Sequence, residues 1–289
     1  MAMNLRIFGK LKMHCIMVFA LCFAPYALLA QENCKVAGTE QDAPALCGVA
    51  EQGGMLYGEA KGWDVYSDSA KISMDDVFVI GLDRDAPDTL RLKFCRGGDC
   101  KTYAYPIKRR QYIEQNVTVP DKFIKYPKDV EDRIDHETAK VQKARAGALT
   151  DTALYFMEFK MPDNLKKYRI SSVFGSRRVF NGQPKSPHKG LDFAAPSGTP
   201  VYPIAAGTVI LAENHYLNGN IILVSHGHGV VSAYLHLDKI IAGPGDSVGA
   251  DDILGNVGDT GRSSGAHLHL GLYHNQIAID PAFFISKVK

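Results

Sequence analysis

Ala266-His267-Leu268-His269-Leu270-Gly271 alternates polar and apolar residues. In an extended chain, side chains two apart share a face. His267 and His269 therefore project together, while Leu268 and Leu270 enter a core. This half-buried strand has company upstream. Thr199 to Tyr202, Gly207 to Ala212, Ile221 to Val224, Val230 to Leu235 and Leu254 to Val257 are short apolar runs punctuated by glycine. Their spacing predicts a compact antiparallel β-sheet domain over 151–289. Eight of the ten histidines fall between His188 and His274, so histidine-dependent chemistry is sought there.

Two further stretches carry candidate ligands. In Ser186-Pro187-His188-Lys189-Gly190-Leu191-Asp192, Pro187 and Gly190 argue against a helix, so His188 and Asp192 sit on a loop running into a strand. Imidazole nitrogen and carboxylate oxygen both suit zinc. His236 closes the apolar run of Tyr234-Leu235-His236-Leu237. Taken singly, each has a plain structural reading as a surface pair, a loop residue or a satisfied core histidine. His226 and His228 occupy a glycine-rich turn, and His215 and His274 read as surface or loop residues. His136-Glu137 does not open an H-E-x-x-H zinc motif, because Lys140 stands where the second histidine belongs.

In combination these stretches resemble the lysostaphin-type (LytM-like) zinc endopeptidases, from about Phe174 to Phe284. The likeness runs through Phe174-Gly175-Ser176-Arg177, His188-Lys189-Gly190-Leu191-Asp192, Gly198-Thr199-Pro200-Val201 and Ala206-Gly207-Thr208-Val209. It continues through Asn220, His226-Gly227, Tyr234-Leu235-His236-Leu237 and Gly245-Asp246-Ser247-Val248. Gly258-Asp259-Thr260-Gly261, His267-Leu268-His269 and Asp280-Pro281 close it. The resemblance implies that His188, Asp192 and His269 bind one zinc ion per chain. It implies that His236 and His267 are unliganded catalytic histidines, and that Asn220 and Arg177 lie near the site as substrate-binding residues. Leu270 departs from the aromatic residue common after the histidine pair, which bears on local packing or substrate fit alone.

The rest of the chain sets the context. The 289 residues are 46% hydrophobic and 22% charged, enough for two ordinary domains. A net charge of +2 lacks the basic excess expected of a nucleic-acid binder. Arg6, Lys10 and Lys12 precede an apolar run from Ile16 to Leu29, and Ala30 offers a cleavage site, so 1–30 reads as a signal peptide. No stable membrane anchor is expected after its removal.

Cys34, Cys47, Cys95 and Cys100 remain in the mature chain. Four cysteines allow three pairings. The local pairs Cys34 with Cys47 and Cys95 with Cys100 are favoured, with a thiolate zinc site as the alternative. Short β-prone runs such as Val77-Phe78-Val79-Ile80-Gly81, Leu90 to Phe94 and Tyr112 to Val119 predict a small β-sandwich-like domain over 31–126. Asp83-Arg84-Asp85-Ala86-Pro87-Asp88 reads as a turn between two of them. A helix follows within 127–150. Its acidic start, basic end and apolar stripe of Val130, Ile134, Val141 and Ala144 predict a linking element between the halves, with Gly147 as C-cap. The fold class is mainly β.

The family likeness and the export signal together predict a peptidoglycan endopeptidase acting in the periplasm on peptide stems, with the D-alanyl to diaminopimelate cross-link as target. A regulatory protein partner is also expected. The rival is a non-enzymatic LytM-like regulator that activates a cell-wall amidase, and the presence of all five metal and catalytic positions argues against it. A lipoyl-type carrier is a third reading, suggested by Gly245 to Gly258, but Asp251-Asp252 stands where a modifiable lysine is needed. The N-terminal domain is expected to position substrate, bind a partner or occlude the cleft. Restraint of an exported wall hydrolase favours occlusion.

Overall fold

The computed structural model describes residues 34–117 and 126–285. The expected signal peptide, 1–30, lies outside them, as does the end of the run Tyr112 to Val119. Among the described residues, no helix is long and apolar enough to cross a membrane.

The N-terminal half is a sandwich of two four-stranded antiparallel sheets. One runs in the order Cys47–Gly48, Met55–Glu59, Val77–Gly81, Ser73–Met74. The other runs Ala70–Lys71, Asp64–Ser67, Thr89–Arg96, Asp99–Pro106. Leu56, Phe78, Ile80, Val65, Leu92 and Phe94 fill the space between them. Gly97 and Gly98 have φ of 59° and 95°, the left-handed values that a tight hairpin turn requires. That turn sets Cys95 opposite Cys100, and a disulfide joins them. A second disulfide joins Cys34 to Cys47, so both local pairs form.

All five residues of Val77–Gly81 are buried. A strand with one wet face would alternate, and this one does not, because both of its faces are covered. Phe78 and Ile80 enter the sandwich core. Val77 and Val79, with Met55, join Phe156, Leu191 and Phe193 in the core of the C-terminal half.

That half is built on an antiparallel sheet in the order Ile170–Ser172, Gly190–Phe193, Leu268–His274, Val230–Ile240, Gly219–Ser225, Gly207–His215, Ser247–Val248. Leu191, Phe193, Leu268, Leu270 and Leu272 line one face. Leu211, Leu223, Val231, Ala233 and Tyr273 line the other.

Two expectations about the connecting region change. The helix forms as Lys128–Gly147, with Asp129 and Glu131 in its first turn and Arg145 in its last. Instead of lying between the halves, it packs on the C-terminal sheet, with Val141 and Ala144 against the Leu211 face. Lys140 pairs with Glu213 at 2.9 Å, and Glu137 accepts the Tyr216 N–H at 2.8 Å. Its narrow apolar stripe needs one apolar surface, and this sheet face supplies it. Gly147 has φ −61°, so it is no left-handed cap, and the chain continues into a 3-10 turn at Ala148–Thr150. The second change concerns Glu114–Val117. This strand leaves the sandwich and pairs in parallel with Arg177–Phe180, at the edge of a hairpin completed by Gln183–Pro184.

Candidate metal centre

Strands Gly190–Phe193 and Leu268–His274 place Asp192 directly opposite His269. Their neighbours Leu191, Phe193, Leu268 and Leu270 are at most 1% exposed on the core side. Strand alternation therefore lifts Asp192 and His269 together from the other face. His188 arrives from the preceding loop, where its N–H donates to Ser176 O at 2.8 Å and its carbonyl accepts from Gly175 N at 2.9 Å. Its Nδ1 lies 3.0 Å from Val173 O. A carbonyl only accepts, so Nδ1 carries the proton and Nε2 presents a lone pair.

That Nε2 is 3.0 Å from Asp192 Oδ1 and 3.0 Å from His269 Nδ1, and the last two are 2.8 Å apart. Zinc with bonds of about 2.0–2.2 Å needs tetrahedral donors about 3.3 Å apart. Two imidazoles and one carboxylate converging at this spacing fit the ion, with one position left for substrate or water. Gly190 makes room for the arrangement. A Cβ there would collide with Leu270 O and come within 2.9 Å of His269 Nε2.

The electrostatics favour a bound cation. Burial opposes ionisation of Asp192, but its close polar contacts with His188 and His269 outweigh it and hold the carboxyl well below the usual range. Burial also lowers His269, against the opposing bond to Asp192, and so keeps its imidazole neutral and able to ligate.

His236 reaches the same cluster by a less regular route. Simple alternation would put it on the face of Tyr234, which is fully buried in the core. Between Asn220↔Leu237 and Ile222↔Tyr234 the register slips, and His236 sits at this bulge with φ 63°. A bulge re-aims a side chain, and this one brings the His236 ring to 4.7 Å from that of His267 and 6.4 Å from that of His269. His236 Nδ1 lies 2.9 Å from Thr260 O and His267 Nδ1 2.8 Å from Gly265 O. Both rings thus present Nε2, and that of His267 is 4.0 Å from Asp192 Oδ1. Burial pushes His236 down to about 4, with the Thr260 bond opposing.

Five of the seven residues singled out from sequence therefore meet in one cluster. Asn220 supports it indirectly. Its Nδ2 donates to Leu237 O at 2.9 Å and Asp238 O at 3.0 Å, bracing the chain just after His236. Arg177 is turned toward the N-terminal half, with Nε 3.4 Å from Glu114 and Nη2 3.8 Å from Asp85. Sequence reasoning assigned no role to Thr260. Its Oγ1 donates to Leu237 O at 2.7 Å and accepts the Asn220 N–H at 3.0 Å, while its carbonyl holds His236. Only its place within Gly258-Asp259-Thr260-Gly261 hinted at importance.

Three other histidines are held within the protein away from this cluster. His215 is 2% exposed, which corrects the reading of it as a surface residue. His226 is fully buried between Ala206 O at 2.7 Å and Ser232 Oγ at 2.8 Å. His274 Nδ1 accepts the Gly81 N–H at 3.1 Å, across the contact between the halves. Among the described residues, the group with metal-binding spacing is His188, Asp192 and His269. A cavity of about 780 Å³ beside Trp63, Asp75 and His228 contains none of these three.

Residues 186–281 match the model of Peptidase family M23. This segment is similar to M23 peptidase domains. It contains all five clustered residues and Asn220, and it leaves Arg177 outside. The chain is similar to the peptidoglycan DD-endopeptidase ShyA of Vibrio cholerae, 43% identical over 107 residues, covering 37% of this chain and 25% of that protein. It is also similar to an uncharacterized metalloprotease of Buchnera aphidicola, 41% identical over 132 residues, covering 45% of this chain and 34% of that protein. The chain thus matches about a quarter to a third of the length of these relatives. A crystal structure from Pseudomonas aeruginosa assigned to peptidase M23 aligns with a TM-score of 0.63 and 27% identity, covering 83% of this chain and 96% of the other. That coverage reaches well beyond the M23 segment.

Proposed function

We propose that this protein is an exported zinc endopeptidase that hydrolyses peptide cross-links of bacterial peptidoglycan. The observation that carries the reading is the convergence of His188, Asp192 and His269 beside two histidines whose Nε2 atoms remain available. When bound, zinc supplies a Lewis acid and lowers the pKa of water to about 7. His236 and His267 provide the proton chemistry. One Nε2 takes a proton from the attacking water and passes it to the leaving nitrogen. The other, in its imidazolium form after taking a proton from solvent, donates a hydrogen bond to the oxyanion that forms at the scissile carbonyl. The carbonyls of Thr260 and Gly265 fix both rings for these tasks. Asn220 keeps His236 in place by bracing the strand that carries it.

The substrate follows from relatives named as peptidoglycan DD-endopeptidases. The D-alanyl to diaminopimelate cross-link is the target, the periplasm is the compartment, and a protein partner restrains the enzyme there. The test is mass analysis of fragments released from purified peptidoglycan, with a chelated sample and His236→Ala as controls. Cross-linked dimers are expected to disappear with the intact protein. His236→Ala is expected to keep its zinc and lose about a hundredfold to ten-thousandfold in rate. An intact, zinc-loaded protein that releases nothing overturns the reading.

A further inference from the structure

The loop that holds His188 is itself gripped from the N-terminal sandwich. Three hydrogen bonds fix His188 to residues 173–176, namely Gly175 N to His188 O at 2.9 Å, His188 N to Ser176 O at 2.8 Å and His188 Nδ1 to Val173 O at 3.0 Å. The carbonyl of Gly175 points the other way and accepts from Arg84 Nε at 2.8 Å. Arg84 comes from the turn between strands Val77–Gly81 and Thr89–Arg96 of the sandwich. It is 7% exposed, unusual for an arginine on a turn.

Its burial is compensated on every side. Nη1 pairs with Asp85 Oδ1 at 2.6 Å, Nη2 lies 3.8 Å from Glu114 Oε1, and the guanidinium stacks 4.3 Å from the centre of the Tyr112 ring. Tyr112 in turn packs edge-on against Phe174 and fills the space where Gly175, at φ 79°, lacks a side chain. Arg84 and His188 also line the same small cavity. A buried guanidinium that donates to the backbone of a ligand-holding loop acts on the ligand through that loop.

We propose that Arg84 is a positioning residue for the metal ligand His188, so that the N-terminal sandwich is a working part of the metal centre. The proposal rests on the reading that His188, Asp192 and His269 bind zinc. Arg84→Met keeps the apolar stem and removes the donor to Gly175. Arg84→Lys keeps the charge and an N–H donor group but loses the planar guanidinium. Arg96→Met is the comparator, since Arg96 is an exposed arginine of the same sandwich stacked on Trp63.

Zinc affinity of the full chain is measured by competition with a chromophoric chelator, at a temperature where each metal-free variant is folded by its own thermal transition. Cobalt substitution gives a spectrum that reports ligand geometry. Arg84→Met is expected to lose tenfold or more in affinity, within the outer-shell range of about 10–100-fold, and to change the cobalt spectrum. Arg84→Lys is expected to fall between it and wild type, and Arg96→Met to match wild type. If Arg84→Met does not fold, Arg84→Lys decides alone. A folded Arg84 variant with wild-type affinity and cobalt spectrum overturns the proposal. A wild-type chain that binds no zinc overturns the metal-site reading beneath it, a result distinct from a silent Arg84 variant.

Discussion

The cluster holds its three proposed ligands in two different ways. Asp192 and His269 stand opposite each other on adjacent strands, locked by a backbone ladder and by buried leucines on the far side. His188 stands on a loop, and its position depends on residues 173–176 and, beyond them, on the N-terminal sandwich. The first arrangement is local to one sheet. The second spans both halves of the molecule. A strand pair needs no outside support to aim its side chains, whereas a loop does, because its backbone groups have no ladder to fix them.

Substituting a ligand from the locked pair sharpens this contrast most strongly. Asp192→Ala removes a donor and the only negative charge of the trio, so zinc affinity should fall well beyond the range of about 10–100-fold expected for supporting residues. Chelator competition on the full chain checks this. A loss no greater than that of Arg84→Met would erase the distinction between ligand and support.

A histidine satisfied by protein alone should behave differently from the metal set. Burial lowers His226 from its ordinary 6.5 to about 4, against the opposing bond to Ala206. The unfolded chain then binds the extra proton first as pH falls, so the stability that His226 contributes is complete above about 6.5 and is lost on the way down to about 4. The full loss is about 3 kcal/mol. Urea titrations of the metal-free protein at several pH values, beside His226→Gln, test it. The variant should show a shallower fall between pH 6.5 and pH 4, and parallel curves would refute the assignment.

The smallest effect is steric. Gly190→Ala puts a methyl against Leu270 O and near His269 Nε2. We expect a loss of about 1–3 kcal/mol in stability, together with weaker zinc binding. Unchanged thermal unfolding in the metal-free state would show that the two strands have slack, and would undercut the claim that they are rigidly locked.

Much of the site was readable before any coordinates. Period-two alternation around His267 to Leu270 named the strand and separated its histidines from its leucines, although the strand is buried on both faces, and the His188-x-x-x-Asp192 spacing named the loop that runs into the next one. The M23 match then agrees with the resemblance those motifs carry. His236 does lie beside the cluster, but alternation is not what brings it there. Alternation alone would bury it beside Tyr234, and the bulge that turns it outward leaves no mark in composition. Thr260 and Arg84 were passed over as ordinary loop residues, since a hydroxyl or guanidinium in a polar turn looks solvated until its partners are known.

By itself the sequence determined the alternation that makes strands, which cysteines lie near each other along the chain, and the types of residue able to hold zinc. These depend on neighbours along the chain, and local chemistry is written there. Tertiary structure alone decided that the helix lies on the C-terminal sheet, that Glu114–Val117 pairs across to Arg177–Phe180, and that Arg84 reaches Gly175. Each of these joins residues tens of positions apart through apolar burial, an open strand edge or a carbonyl needing a donor. Such contacts take their partners from the folded surface, and only the folded chain brings those surfaces together.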